Sequence, residues 1–167
     1  MAKKISEQEI NRRSSLDKIR ELGINPFPAE SFNVDTNSIA CKKEFVDKKN
    51  VKIAGRIMSK RVMGKASFAE IQDSKGRIQL YLNRDEICNT ENKSLYNEVF
   101  KKLLDIGDII GVHGFLFKTK VGEISIWVKN IIILSKSIKP LPVTKIDEKG
   151  NKYDEFSNLE LKYRRRY

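Results

Sequence analysis

Histidine is almost missing from this sequence, which has only His113, and cysteine is scarce, with Cys41 and Cys88 far apart and neither in a Cys-x-x-Cys pair. One imidazole and two separated thiols provide no zinc spacing and no disulfide framework, and they fit reduced thiols in a reducing compartment. No run of about 18 apolar residues is present. The opening MAKKISEQEI is too polar for a secretory signal, so neither spanning nor export is indicated and a cytoplasmic location is expected. Negative charge is also in short supply: 22 Asp and Glu face 33 Lys and Arg, a net charge of +11. Such a balance suits a polyanionic partner, either nucleic acid or an anionic membrane surface, although basic composition also serves solubility alone. The 167 residues suffice for one domain with a good core plus an extension.

Catalytic chemistry has little to draw on. His113 falls within a predicted strand, and nothing like Gly-x-Ser-x-Gly accompanies it. Gly111-x-x-Gly114 lies inside the same strand and is too short for a P-loop or a dinucleotide fingerprint. The carboxylates are scattered among lysines with no metal-ligand spacing. No catalytic residue, metal site or cofactor is therefore expected in this chain, and binding is the better reading than bond-making.

What is present is periodicity. Residues 6–22 open with a capping-box pattern, Ser6-x-x-Glu9, carry Ile10, Leu16, Ile19 and Leu22 in a helical stretch, and stop at Gly23. The prolines of Ile24-Asn25-Pro26-Phe27-Pro28 hold the chain extended, and a second short helix is predicted around Ser38 to Val46. From Val51 the period becomes two. Val51, Ile53, Gly55 and Ile57 alternate with Lys52, Ala54 and Arg56, the mid-strand glycine permitting a sharp bend.

The stretch GKASFAEIQDSKGRIQLYLN then reads as two strands around Asp73-Ser74-Lys75-Gly76. A helix follows over Ser94 to Leu104, with Leu95, Val99 and Leu103 on one stripe widened by Tyr96 and Phe100. DIIGVHGFLFK and GEISIWVKNIIIL close the region as two long strands. Three strands, a helix and two strands are the order of a five-stranded OB-fold, a Greek-key barrel with a helix between strands 3 and 4. The expected fold is therefore mainly β, and an SH3-like barrel is its main rival. Residues 1–50 read as a helical extension packing on the barrel, 51–135 as the barrel, and 136–167 as a polar linker entered at Pro140 and Pro142.

Strand parity raises a question about Phe68. If Ala69, Ile71, Ile78, Leu80 and Leu82 face the core, Phe68 shares the outer face with Glu70, Gln72, Arg77, Gln79 and Tyr81. The outer face of strands 2 and 3 of such a barrel is a platform for unpaired bases, on which a ring stacks and an amide such as Gln79 reads an edge. The alternative is a ring covered by a loop. Lys60, Arg61 and Lys65 bracket the first turn, and Lys118 and Lys120 the last, where they could neutralise phosphates. Glu123 stands apart, because a carboxylate near RNA is repelled unless it accepts from a base; an ordinary hairpin ion pair is the other reading.

These segments resemble a known family. AGRIMSKRVMGKASFAEIQDSKGRIQLYLN, DIGDIIGVHGFLFKTKVGEISIWV and KPLP are similar to the anticodon-binding domain of class II lysyl-tRNA synthetases. RRSSLDKIRELGINPFP resembles their N-terminal lead-in, and YRRRY resembles the junction that opens into their catalytic domain, where a glutamine is frequent in place of Arg165. The resemblance implies that Phe68 stacks on the middle uridine of the lysine anticodon UUU, that Gln79 and Arg61 read or position that base, and that Glu123 contacts a neighbour. Arg56 and Lys65 are weaker candidates for phosphate, and Arg77 a rim contact. Regular alternation from Ile57 would put Arg61 on the core side, so its role requires a shift of register at Gly55 or a bulge.

The resemblance further implies a longer parent that joins lysine to tRNA(Lys) with ATP and Mg²⁺ and forms a homodimer, since the class II signature motifs are missing from these residues. Two other functions remain open on the residues alone. One is a non-specific single-strand binder. The other is a protein-interaction module using the N-terminal helix and the tail from Tyr163 to Tyr167.

Overall fold

Alternation builds the first strand. In the computed structural model, which describes residues 6–88, 91–140, 145–146, 152–153 and 163, β1 runs Asn50–Met63 and buries Val51, Ile53, Gly55 and Ile57 while Lys52 is exposed between them. The same period carries β2 (Ala66–Gln72) and β3 (Arg77–Asn83), and it runs with local breaks through β4 (Ile109–Lys118), where Ile110, Gly111 and Val112 are all buried, and β5 (Ile124–Ser135). They close into a barrel in the order β1-β2-β3-β5-β4, with β4 returning to β1. All pairings are antiparallel except β3 with β5, which run parallel. The architecture is the OB-fold that the strand order predicts.

Two glycines permit this closure. A Cβ on Gly114 would lie 2.0 Å from the Trp127 carbonyl oxygen, where β4 and β5 slip register after His113. One on Gly55 would lie 2.8 Å from the Gln72 carbonyl oxygen as β1 bends across β2. Side chains at either position would force the strands apart.

Four helices complete the described fold: α1 (Glu7–Glu21), α2 (Ser38–Lys43), α3 (Arg84–Ile87) and α4 (Leu95–Leu103). α4 lies between β3 and β4 and buries Tyr96, Val99, Phe100 and Leu103 in the barrel core. It is wound wider than an α-helix, and Leu104 N–H donates five residues back to the Val99 carbonyl at 2.9 Å. α1 is capped by Ser6, whose Oγ accepts from Glu9 N–H at 3.2 Å, and ends where Gly23 takes φ +75°. Only Leu16 and Ile19 of its expected apolar stripe are buried; Ile10 and Leu22 are exposed. α2 stops at Lys43, short of the expected Val46, because after Cys41 its residues Lys42 and Lys43 offer nothing to bury. Ile19 and Cys41 both join the barrel core, so the extension has no core of its own.

The stretch read as linker begins inside the packed barrel. Lys136 is buried, and its ammonium contacts Asp108 at 2.8 Å and Asp105 at 2.5 Å. Further on, β6 (Lys145–Ile146) and β7 (Lys152–Tyr153) pair antiparallel. Pro142 and residues 164–167 lie outside the described residues. No helix among the described residues is long and apolar enough to cross a membrane.

Candidate nucleic-acid interface

The candidate site depends on one extra residue in β1. Ile57 pairs with Ile71, but Ser59 pairs with Glu70, so Met58 is accommodated as a β-bulge. Beyond the bulge the parity of β1 is inverted. Arg61 pairs with Phe68 on the outer face and is exposed, which supplies the register shift that its outward placement required. The same inversion sends Lys60 inward, and here the structure corrects the expectation of a rim cation. The Lys60 ammonium donates to the carbonyls of Phe100, Lys101 and Leu104 at 3.1, 3.3 and 2.6 Å, capping the C-terminus of α4. Burial holds that ammonium below its ordinary pKa, against the raising influence of Asp105 and Asp108.

On the outer face, register sets two rows of side chains across the strands. One row runs Arg61, Phe68, Tyr81, Trp127 and Phe115; the other runs Ser59, Glu70, Gln79, Ser125 and Phe117. Phe68 is half-buried, with its ring centroid 5.2 Å from that of Tyr81. Tyr81 lies 4.5 Å from Trp127, and Trp127 stacks on Phe115 at 5.8 Å with 11° between the planes. Phe117 meets Tyr81 and Trp127 edge-on, and Lys129 sits over Phe115 at 5.5 Å.

At the β1–β2 end of these rows the β4–β5 connection folds over the sheet. Thr119 N–H donates to the Glu123 carbonyl at 2.9 Å and Thr119 Oγ1 accepts from Glu123 N–H at 3.0 Å, so the turn is closed by its own backbone around Gly122 at φ +90°. Between this turn and the sheet lies a groove of about 620 Å³, lined by Ser59, Arg61, Met63, Phe68, Ala69, Glu70, Gln79, Thr119, Val121 and Glu123. Phe68, Gln79, Arg61 and Glu123, which the sequence singles out, therefore share one groove. Gln79 Oε1 accepts from Ser125 Oγ at 2.8 Å. Glu123 pairs with Lys42 of α2 at 3.5 Å, with both side chains about half exposed, so its ionic partner comes from a helix and not from its own hairpin.

The remaining basic candidates divide. Lys65 and Lys120 are exposed in the two turns that flank the groove, and Lys118 is exposed at the end of β4. Arg77 lies outside the groove lining and donates to Gln72 at 2.9 Å and Glu70 at 3.3 Å. Arg56 also stands away from the groove, its guanidinium donating to the Gly107 carbonyl at 2.8 Å. That bond uses one of the five guanidinium N–H donors, so what separates Arg56 from the candidate site is its place outside the groove lining.

Ser125, Thr119, Val121 and the aromatic row beyond Tyr81 escape reasoning from sequence. Trp127 comes to lie beside Tyr81 through the parallel β3–β5 pairing, which joins segments more than 40 residues apart.

A family model described as an OB-fold nucleic acid binding domain, of the tRNA anti-codon type, matches residues 51–134. The chain belongs to this family. Among the curated relatives of this nucleic-acid-binding domain, the lysine–tRNA ligase of Christiangramia forsetii is 58% identical over 163 residues, covering 98% of the chain and 29% of the relative. The lysine–tRNA ligase of Porphyromonas gingivalis strain W83 is 51% identical over 168 residues, covering 98% and 29%. That of Azobacteroides pseudotrichonymphae is 51% identical over 166 residues, covering 98% and 33%. The domain thus spans about a third or less of the length of the curated relatives it matches.

Proposed function

We propose that this domain is the anticodon-binding part of a cytoplasmic lysine–tRNA ligase and that its groove takes the unpaired anticodon UUU of tRNA(Lys). The observation that carries the reading is the convergence of Phe68, Arg61, Gln79 and Glu123 on one groove of a nucleic-acid-binding barrel. Phe68 stacks on the middle uridine, a contact worth roughly 1–3 kcal/mol. Gln79 meets the Watson–Crick edge of that base, Arg61 positions it, and Glu123 accepts from a neighbouring base. Lys65, Lys118 and Lys120 take phosphates beside the groove.

Glu123 can remain near RNA because Lys42 neutralises part of its charge, and because the exposed pair is weak enough to open when a base donor arrives. In the whole protein, by the same reading, lysine is joined to tRNA with ATP and Mg²⁺ in a homodimer. None of that chemistry is assigned to the groove, which offers a ring, an amide, a guanidinium and separated carboxylates.

The test is a titration with anticodon stem-loops carrying UUU or a changed middle base, at two salt concentrations. The expected result is tight binding of UUU, much weaker binding of the altered loop, and log affinity falling against log salt by roughly 0.7 per neutralised phosphate. Equal affinity for the two loops would remove the assignment. A second reading, sequence-tolerant binding of any single strand, is favoured by the rings that continue from Tyr81 to Phe115, since every base has a stacking face. Competition by homopolymers of equal length separates the two.

A further inference from the structure

Two carboxylates line the groove, Glu123 in the β4–β5 turn and Glu70 on the sheet itself. Glu70 faces the same way as Phe68, two residues or about 6.8 Å further along β2. Register sets it directly across from Gln79, a pairing that brings Cβ atoms to within about 4.5–5.5 Å. Its Oε2 accepts from Arg77, which lies outside the groove lining, at 3.3 Å. Its Oε1 has no hydrogen-bond partner among the described residues. A base lying on Phe68 with its Watson–Crick edge turned along β2 therefore meets Glu70 and Gln79 side by side.

We propose that Glu70 is a base-reading residue whose carboxylate accepts the ring N3–H of the uracil stacked on Phe68, beside the amide of Gln79. The inference rests on the reading of the groove as a base site. Uracil carries its N3–H between two keto oxygens, so Glu70 takes the hydrogen while Gln79 donates to a keto oxygen next to it. The amide can present either of its ends to a base. A carboxylate only accepts, so whatever faces Glu70 must bring a donor. Arg77 offsets part of its charge, as Lys42 does for Glu123, and leaves Oε1 for the base. A carboxylate that merely faced RNA would be repelled by phosphate, and its removal would tighten binding. Removal of one that accepts from the base weakens it, because the base N–H loses a charged partner.

The experiment titrates the 167-residue chain with a stem-loop carrying UUU and with the same loop carrying 3-methyluridine in the middle. The chains compared are wild type, Glu70→Ala, Arg77→Gln and the double variant, since Glu70→Ala also releases Arg77 as a cation. Glu70→Ala should weaken the UUU loop about 10-fold or more, in the Arg77→Gln background as well. Melting should change little, because the pair it breaks is exposed. Methylation of N3 removes the donor, so it should weaken binding to wild type and cost much less in Glu70→Ala.

A Glu70→Ala chain that binds the UUU loop as tightly as wild type, or more tightly, overturns the proposal. So does a methylation penalty that is the same in both chains. If wild type binds a loop with a changed middle base as well as UUU, it is the base-site reading that fails.

Discussion

Phe68 leans on Tyr81 and lines the groove, with no part in filling the barrel, whose interior at this level is supplied by Ser67 and Ala69 on either side of it. Phe68→Ala should therefore weaken anticodon-loop binding by roughly 1–3 kcal/mol while the melting temperature stays almost unchanged. Parallel titration and thermal melts check this, and a large fall in melting temperature would mark the ring as a packing residue.

A different single-residue effect belongs to Asp73. Burial works to raise its pKa, but bonds from Ser38 N–H and Oγ and from the amides of Lys75 and Gly76 outweigh it and hold the carboxyl below its ordinary 3.8. A depressed folded-state pKa means that the unfolded chain binds the proton first. The contribution is present above about pH 3.8 and is lost as pH falls towards the folded-state value. Asp73→Asn should cost about 1–3 kcal/mol at neutral pH and flatten the acid limb of stability, measured by urea unfolding at pH 7 and pH 3. The turn at Asp73 was legible as Asp-Ser-Lys-Gly. Its hold on α2 was not, because Ser38 comes from 35 residues away.

Among the elements, β1 shows where pattern reading stops. Its first half obeys the period of two, and its second half obeys the same period offset by one residue at Met58. Neither half announces the offset, since Met58, Ser59 and Lys60 are plausible on either face of a barrel end. The offset separates two adjacent cations by function: Arg61 faces the groove and Lys60 caps α4. Lys60→Met should lower stability by about 1–2 kcal/mol, as a charged cap on a helix C-terminus is lost, while the salt slope of RNA binding stays as in wild type. Lys65→Gln and Lys118→Gln should do the reverse, leaving melting unchanged and each reducing the slope by roughly 0.7. Salt titrations beside thermal melts distinguish the two sets.

At the level of the whole molecule, the chain leaves the barrel through a buried ionic lock. Lys136 is held by Asp105 and Asp108, Asp108 also accepts from Ser137 N–H at 2.8 Å, and Arg12 of α1 reaches over to the Ser137 and Ile106 carbonyls at 3.0 and 2.7 Å. The N-terminal helix, the barrel and the start of the stretch after β5 are thereby joined at one point. Lys136→Met leaves two carboxylates facing each other without their cation, with Asp108 fully buried, and should cost about 3–5 kcal/mol by chemical denaturation. Adding Asp108→Asn to that variant should recover part of the loss, because the stranded charge goes with it. Composition alone showed a basic chain and could not show that one lysine of the 33 Lys and Arg is structural in this way.

Local chemistry was enough to favour the barrel over its SH3-like rival and to place the inserted helix, the first helix with its cap and the outward-facing Phe68 and Gln79. Strand period, capping and turn residues act within a few positions of one another, and neighbouring antiparallel strands inherit their faces from that period. Contacts between distant segments decided the rest: the offset that turns Arg61 out and Lys60 in, the parallel pairing that sets Ser125 under Gln79 and Trp127 beside Tyr81, and the lock on Lys136. Such choices depend on which strand lies alongside which, and closing the barrel is what brings those partners together.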